Sequence, residues 1–222
     1  MEKRGIKSYV IRQGRMSQAQ QQAYREQKEK WSLPYEEKAL DFTETFPGLD
    51  QVVLEIGFGM GDATHQIAFE NRDKGYIGVE VHKPGVGKLL DQITKRELTN
   101  IRIIEHDACE VVDRMISPAS LAGVHIFFPD PWPKKKHHKR RLIQEPFVTE
   151  LAKRLKPGGY FYAATDWDDY ADQMLEVLSA NSLLENGFSG FADHQSWRPL
   201  TNFEQKGLKK SHEIHEVFFV KK

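Results

Sequence analysis

Short apolar runs alternate with longer amphipathic segments from about residue 50 onward. Strands buried in a parallel sheet are continuous apolar runs, whereas helices repeat apolar residues every three or four positions. The apolar runs predict five strands, over 52–56, 76–81, 101–105, 124–128 and 159–164. The amphipathic segments predict five helices, over 62–71, 85–97, 110–116, 144–155 and 168–179.

Strands that alternate with helices indicate an α/β fold with a doubly wound, mostly parallel sheet of seven strands. The last part of the chain changes character, and residues 188–192 and 214–220 predict a closing antiparallel hairpin. Right-handed crossovers would bring the carboxyl ends of the first four strands to one edge of the sheet. Ligands bind at that edge in such folds.

The first thirty residues are polar and rich in glutamine, with eight basic and three acidic side chains. We expect an extended segment over 6–16 and a polar helix from Ser17 to about Trp31. The predicted organisation is a basic, partly flexible arm over 1–32 and one domain over 33–222.

Composition excludes several classes of protein. The single cysteine, Cys109, cannot form an internal disulfide, and the Cys and His spacing predicts no metal site. The first thirty residues lack the apolar core of a signal peptide, and no apolar stretch is long enough to cross a membrane. We therefore expect a cytoplasmic protein that binds neither a metal ion nor a membrane.

A glycine-rich turn follows the first predicted strand, with Glu55 before it and glycines at 57, 59 and 61. The fingerprint for dinucleotides needs its third glycine one residue later, and here Asp62 occupies that place. A carboxylate there would repel a pyrophosphate. The spacing favours a cofactor without phosphates, and Glu55 could attract a cationic group on it.

Three further acids end the next three predicted strands, namely Glu80, Asp107 and Asp130. Glu80 lies 19 residues after Gly61, where a carboxylate can bind both hydroxyls of a ribose. Asp107 can meet the edge of an adenine. Acids at four successive strand ends indicate a binding site more readily than a solvated surface.

The most informative segment is 127–141, which reads FFPDPWPKKKHHKRR. Asp130 directly follows an apolar strand, and the prolines and Trp132 stiffen the loop. Six of the eight residues after Pro133 are Lys or Arg and the other two are His. A carboxylate beside a cationic strip suits modification of a base next to bound phosphates, so we expect a polyanionic partner.

The acid followed by G-x-G-x-G, with a second acid ending strand two, resembles the class I S-adenosylmethionine-dependent methyltransferases. The segment 127–141, together with 79–82, 84–87, 165–167 and 201–204, resembles the bacterial tRNA (guanine-N7-)-methyltransferase family. The similarity runs from Arg12 to the last strand. It implies a Rossmann-like fold, S-adenosyl-L-methionine as cofactor, and methylation at N7 of a guanosine in the tRNA variable loop, expected at position 46.

The resemblance also implies residue roles. The cofactor positions are Glu55, Gly57, Gly59, Gly61, Glu80, Val81, Asp107, Ala108 and Asp130. Asp130 also matches the catalytic position. The positions for substrate and RNA are Lys134, Lys136, His137, His138, Lys139, Arg140, Arg141, Asp166, Thr201, Asn202, Phe203, Glu204, Arg12 and Arg15. We expect tRNA as partner and a monomer or homodimer with no obligatory second protein.

Three other functions compete with this interpretation. Methyltransferases acting on the amino groups of adenine or cytosine carry a second proline before the aromatic residue, where this chain has Asp130-Pro131-Trp132. An RNA-binding module without catalysis would not need all four acids and the glycines. A nicotinamide-dependent oxidoreductase is disfavoured by the glycine spacing and Asp62.

Overall fold

The structure is a computed structural model that describes residues 7–9, 14–200, 204 and 213–222. Its strands are β1 (Val52–Ile56), β2 (Gly75–Val79), β3 (Ile101–Ile104), β4 (Leu121–Phe127), β5 (Leu155–Thr165), β6 (Leu184–Asn186) and β7 (His215–Lys221). Its α-helices are α1 (Gln18–Trp31), α2 (Phe42–Thr45), α3 (Asp62–Glu70), α4 (Lys83–Lys95), α5 (Ala108–Arg114), α6 (Phe147–Arg154) and α7 (Asp168–Ala180), with a 3-10 helix over Lys135–Arg140.

The seven strands form one sheet in the order β3-β2-β1-β4-β5-β7-β6. The first five strands pair in parallel, and β7 runs antiparallel between β5 and β6. The carboxyl ends of β1 to β5 therefore share one edge, which we call the carboxyl edge. The predicted mostly parallel, doubly wound sheet is confirmed.

Two clusters of buried apolar side chains cover the two faces of the sheet. Leu89, Leu90 and Ile93 of α4 pack with residues of α1 and α3 on one face. Residues of α5, α6 and α7 pack on the other, including Leu151 and Met174. Helices on both faces explain why β1 is buried along its whole length and is apolar except at Glu55.

Helix α1 begins where the sequence predicts it. The Ser17 side chain accepts from Gln20 N, and the Gln20 side chain accepts from Ser17 N, a reciprocal cap that satisfies free backbone donors. Ala23 and Trp31 are buried, and Leu33 N donates to Ile103 O at 2.8 Å. The arm thus contains a helix packed on the domain, while its boundary at residues 32 and 33 stays a prediction.

Two predicted elements need correction. Helix α6 begins at Phe147 rather than residue 144, because Pro146 occupies its N-cap and proline disfavours helical backbone in the residue before it. The strand that pairs with β7 is Leu184–Asn186, not 188–192. The Asn186 side chain accepts from Phe188 N and donates to Gly190 O, so this stretch forms a turn. Phe188, an aromatic residue that suggested a strand in the sequence, packs on Phe218 of β7 instead.

In the described ranges, no helix combines the length and the apolar character that a membrane span requires.

Candidate active site

A cleft of about 380 Å³ opens at the carboxyl edge, beside the glycine-rich turn after β1. Gly57 and Gly59 adopt backbone φ values of +73° and +57°, which residues other than glycine rarely adopt. Apart from the glycine itself and its two neighbours in the chain, no heavy atom lies within 4 Å of the place where a Cβ on either residue would be. Gly85 in α4 packs so close to this turn that its Cβ would lie 1.8 Å from Gly59 O. The turn is therefore supported by α4 and open towards the cleft.

Glu80 connects the end of β2 to the glycine-rich turn. Its Oε2 accepts from Gly59 N at 2.8 Å, and its Oε1 accepts from Val81 N at 2.6 Å and His82 N at 2.9 Å. Three backbone donors fix the carboxylate in place at the cleft. A carboxylate has about four acceptor sites, so Glu80 can still accept from a ligand hydroxyl.

Glu55 lies buried between β1 and the first turn of α3. Its Oε1 accepts from Thr64 Oγ1 at 2.9 Å, and its Oε2 is buried with no hydrogen-bond partner among the described residues. Burial raises the pKa of Glu55 from 4.5 to about 8, against the opposing effect of the Thr64 hydrogen bond, and the charge of Glu80 adds to the rise. A buried carboxyl group with a free oxygen fits a cationic ligand group, because a cation would favour its charged form.

The raised pKa of Glu55 predicts how stability depends on pH. Between about pH 4.5 and 8 the folded protein keeps a proton that the unfolded chain has lost, so this group makes the fold less stable as pH rises through that window. Glu55→Gln removes the titration. We expect the melting temperature of the variant, relative to the parent, to be higher at pH 8.5 than at pH 5. A difference that stays constant with pH would contradict the assignment.

Asp107 and Ala108 begin α5 at the same edge. Asp107 is the N-cap and accepts from Cys109 N at 3.0 Å, and Ala108 lines the cleft. Asp107 faces an adjoining cavity of about 690 Å³. Tyr9 and Val81 line both spaces, so together they form one extended groove. Gly61 does not line the groove, and instead it is the N-cap of α3 with a φ of +71°.

Asp130 lies in a loop whose backbone is strained on both sides. Phe128 and Trp132 have φ values of +49° and +46°, a left-handed conformation that costs about 1–3 kcal/mol for such residues. Phe128 N donates to Ala164 O at 2.8 Å, and Trp132 Nε1 donates to Ser8 O at 3.0 Å. These contacts hold Asp130 in the wall of the cleft, where it is exposed to solvent.

Arg141 anchors the Asp130 loop through a hydrogen bond from inside the protein. Its side chain is 1% exposed, and its Nε donates to Pro131 O at 2.9 Å. Its Nη2 donates to Asp169 Oδ2 at 2.6 Å, and its Nη1 donates to Gln173 Oε1 at 2.6 Å. Because the guanidinium is occupied inside the protein, Arg141 is placed to position the loop. This differs from the phosphate contact expected from the sequence.

The rest of the basic run lies on the surface, and we call Lys134–Arg140 the basic strip. Lys134, Lys135, Lys136 and Lys139 are exposed, while His137 and His138 are half-buried. Arg140 stacks over Trp132 with 4.1 Å from its Cζ to the ring centroid, and its Nε donates to Lys7 O. The strip therefore continues directly from the Asp130 loop and contacts the N-terminal segment.

Comparisons with known proteins agree with this geometry. A family model described as "Putative methyltransferase" matches residues 50–217. A Chromobacterium violaceum protein named tRNA (guanine-N(7)-)-methyltransferase is 54% identical, over 99% of this chain and 97% of the relative. This chain belongs to the tRNA (guanine-N7-)-methyltransferase family. A relative of the same name from Dechloromonas aromatica is 57% identical, over 98% of this chain and 88% of its own.

Solved structures support the fold. The 16S rRNA methyltransferase KamB superposes with a TM-score of 0.59 and 15% identity, over 83% of this chain and 94% of its own. The aminoglycoside resistance methyltransferase NpmB1 superposes with a TM-score of 0.55 and 18% identity, over 82% of this chain and 92% of its own. The predicted membership of the family is confirmed, and the protein is a methyltransferase rather than an oxidoreductase or a non-catalytic module.

The remaining positions that resemble the family's substrate residues are only partly described. Asp166 follows β5 at the carboxyl edge and is half-buried, and Arg15 is exposed before α1. Arg12 and residues 201–203 (Thr201, Asn202 and Phe203) lie outside the described residues. Glu204 is fully buried, and its Oε1 pairs with Arg198 Nη2 at 2.7 Å. In the described part of the chain, no cluster of three His, Cys, Asp or Glu side chains could hold a metal ion.

Sequence reasoning assigned no role to two features of the site. Ser8 and Tyr9 line the cleft, although their segment has no periodic pattern that would place them there. Arg198 is buried and pairs with Glu204 and Glu216, and a single Arg near a Trp and a Pro carries no signal for these pairings. Both contacts arise only when the chain is folded.

Proposed function

We propose that this methyltransferase transfers a methyl group from S-adenosyl-L-methionine to N7 of a guanosine in tRNA, at position 46 of the variable loop. The observation that carries the proposal is that Asp130 lines the cleft in a loop that continues directly into the basic strip. A site for one base thus adjoins a surface for phosphates. The names of the relatives at 54% and 57% identity support tRNA and guanine N7 as the target.

The groove suits S-adenosyl-L-methionine. When bound, this cofactor supplies a methyl group activated by a positively charged sulfur. Glu55 would interact with its cationic end near Gly57 and Gly59, Glu80 would accept from the ribose hydroxyls, and Asp107 with Ala108 would border the adenine. The open space at the two glycines and the free oxygen of Glu55 support this fit.

Guanine N7 carries an in-plane lone pair and no proton, so the chain need not supply a general base. Its residues must hold N7 in line with the methyl group and stabilise the positive charge that develops on the purine. Asp130, which lines the cleft, would provide a carboxylate for that charge. Asp130 or Asp166 would also accept hydrogen bonds from guanine N1–H and the exocyclic amine, donors that distinguish guanine from adenine.

Product analysis tests the proposal directly. The pure protein is incubated with labelled S-adenosyl-L-methionine and unmodified tRNA, and the methylated nucleoside is identified and mapped. We expect 7-methylguanosine in the variable loop. N6-methyladenosine would reassign the target base, and the absence of transfer despite cofactor binding would reject tRNA as the substrate of this chain alone.

The basic strip is expected to bind tRNA phosphates. Lys136→Ala with Lys139→Ala should weaken tRNA binding and make the plot of log affinity against log salt shallower by about 1.5, because two phosphate contacts no longer release counterions. Lys95→Ala with Lys153→Ala removes the same charge at exposed helix ends away from the carboxyl edge and is the control. Equal slopes in both double variants would place the RNA surface elsewhere. Arg141 is left intact because its guanidinium is buried.

A further inference from the structure

Trp167 is the most exposed tryptophan of the chain. Its exposed fraction is 38%, whereas Trp31 is buried and Trp132 and Trp197 are half-buried. No ring of the described residues stacks on it. The exposed part of its indole forgoes apolar burial, which is favourable in proportion to the area removed from water. A partner outside the described chain would recover that burial.

Helix geometry does not explain a tryptophan at this position. Trp167 is the N-cap of α7, a position where Ser, Thr, Asp or Asn can bond to the free backbone donors of the first turn. The Trp167 side chain makes no such bond. The helix start is complemented instead by Asp168 and Asp169 in its first turn. Stability of α7 would therefore favour a different residue.

The fold places Trp167 beside the Asp130 loop. Strands β4 and β5 pair with Phe127 opposite Ala164, so the residues that follow each strand leave the sheet side by side. One guanidinium, that of Arg141, bonds both Pro131 O and Asp169 Oδ2. Pro131 is next to Asp130, and Asp169 is two residues after Trp167. The indole of Trp167 is thus held near the Asp130 loop, and Trp167 does not line the cleft itself.

The basic strip approaches the same helix start. His138 Nε2 lies 3.5 Å from Asp169 Oδ2, and Arg141, which follows the strip, bonds to the same oxygen. A strand of RNA that follows the strip towards the cleft would pass this corner. At that corner the RNA would leave the basic strip and meet the exposed ring of Trp167.

We propose that Trp167 is a stacking residue for the RNA, and that it packs on the base of a nucleotide flanking the target guanosine. This inference rests on the proposed function. A base that leaves its stack to enter the cleft exposes its neighbours, and an aromatic side chain can restore the lost stacking. A flanking base is favoured over the target because Trp167 stands outside the cleft that Asp130 lines. Any base can stack on an indole, so this contact would strengthen binding without reading sequence.

The test compares Trp167→Ala and Trp167→Phe in the full-length enzyme with unmodified tRNA. We expect Trp167→Ala to raise the Kd for tRNA about 5- to 100-fold, and Trp167→Phe to restore most of the affinity. The Kd for S-adenosyl-L-methionine should not change in either variant. Phe69→Ala is the control, since it removes an aromatic ring that is 43% exposed at the far end of α3.

Abasic RNA locates the contact. With tRNAs abasic at one or the other nucleotide flanking the methylated guanosine, the penalty of Trp167→Ala should vanish for one of the two. A penalty that persists with both abasic RNAs, a Phe variant as weak as the Ala variant, or an Ala variant that binds as well as Phe69→Ala would each overturn the inference. If the parent itself fails to methylate tRNA, the proposed function fails, and the inference fails with it. A parent that methylates tRNA isolates the role of Trp167.

Discussion

Asp130→Ala is expected to lower the rate of methyl transfer to tRNA by about 100- to 1,000-fold while leaving the fold intact. Asp130 lies in a loop that Phe128 and Trp132 anchor, and it lines the cleft where charge would develop on the purine. Because Asp130 is exposed, removing it leaves no cavity and no buried partner without a hydrogen bond. Single-turnover rates and the melting temperature are the measurements.

Two further measurements separate the possible roles of Asp130. Asp130→Asn keeps the shape and one acceptor oxygen but removes the charge, so a rate as low as that of the Ala variant would assign the effect to charge. Kd values for the cofactor and for tRNA show which ligand Asp130 holds. Near-normal turnover in Asp130→Ala would contradict a catalytic role. A loss of activity accompanied by a large fall in melting temperature would make the role structural.

Arg198→Ala is expected to destabilise the protein by about 3–5 kcal/mol, because it leaves two buried carboxylates without their cation. Arg198 Nη2 pairs with Glu204 Oε1 at 2.7 Å and with Glu216, and Arg198 Nε donates to Tyr162 Oη at 3.0 Å. Burial alone would raise the pKa of Glu216. Hydrogen bonds from His194 and Tyr162 and the charge of Arg198 instead hold it below its ordinary value.

Chemical denaturation measures this effect. Arg25→Ala, which removes an exposed arginine from α1, is the control and should change stability by less than about 0.5 kcal/mol. Arg198→Ala combined with Glu216→Gln should recover part of the loss, since one of the two unpaired charges is gone. Unfolding of Arg198→Ala at the same denaturant concentration as Arg25→Ala would show that the ion pairs contribute little.

The ion pairs of Arg198 with Glu204 and Glu216 are also expected to bear on substrate binding. Glu204 ends the stretch 201–204 that resembles the family's substrate residues, and Arg198 ties it to β7 through Glu216. We therefore propose that Arg198 is a positioning residue for the substrate side of the site. Its loss is expected to weaken tRNA binding as well as the fold, and Arg198→Lys, which keeps the charge but not the planar fork, should recover stability better than binding.

Much of this site could be read from local patterns. Continuous apolar runs identified the parallel strands, and the acids and glycines that follow those runs had to meet at one edge once the strands were parallel. Glu80 and Asp130 therefore line the cleft, as their positions in the sequence predicted. The antiparallel C-terminal hairpin is confirmed, but its first strand is Leu184–Asn186 and not 188–192. Aromatic residues indicate packing as much as strands, and Asn186 closes a turn there.

The sequence by itself determined where the functional residues lie along the chain. It showed which acid ends which strand, where the backbone needs glycine, and that a basic run follows the Asp130 loop. Only the tertiary structure decided which cations of that run face solvent and which are internal. Arg141 reads like its neighbours, yet its guanidinium is buried against Asp169, 28 residues further along the chain. Arg198 meets Tyr162 across 36 residues. Whether a guanidinium is free to bind a phosphate or instead positions a loop depends on the acceptors that the fold brings within hydrogen-bond distance. Those acceptors are not neighbours of the arginine in the sequence.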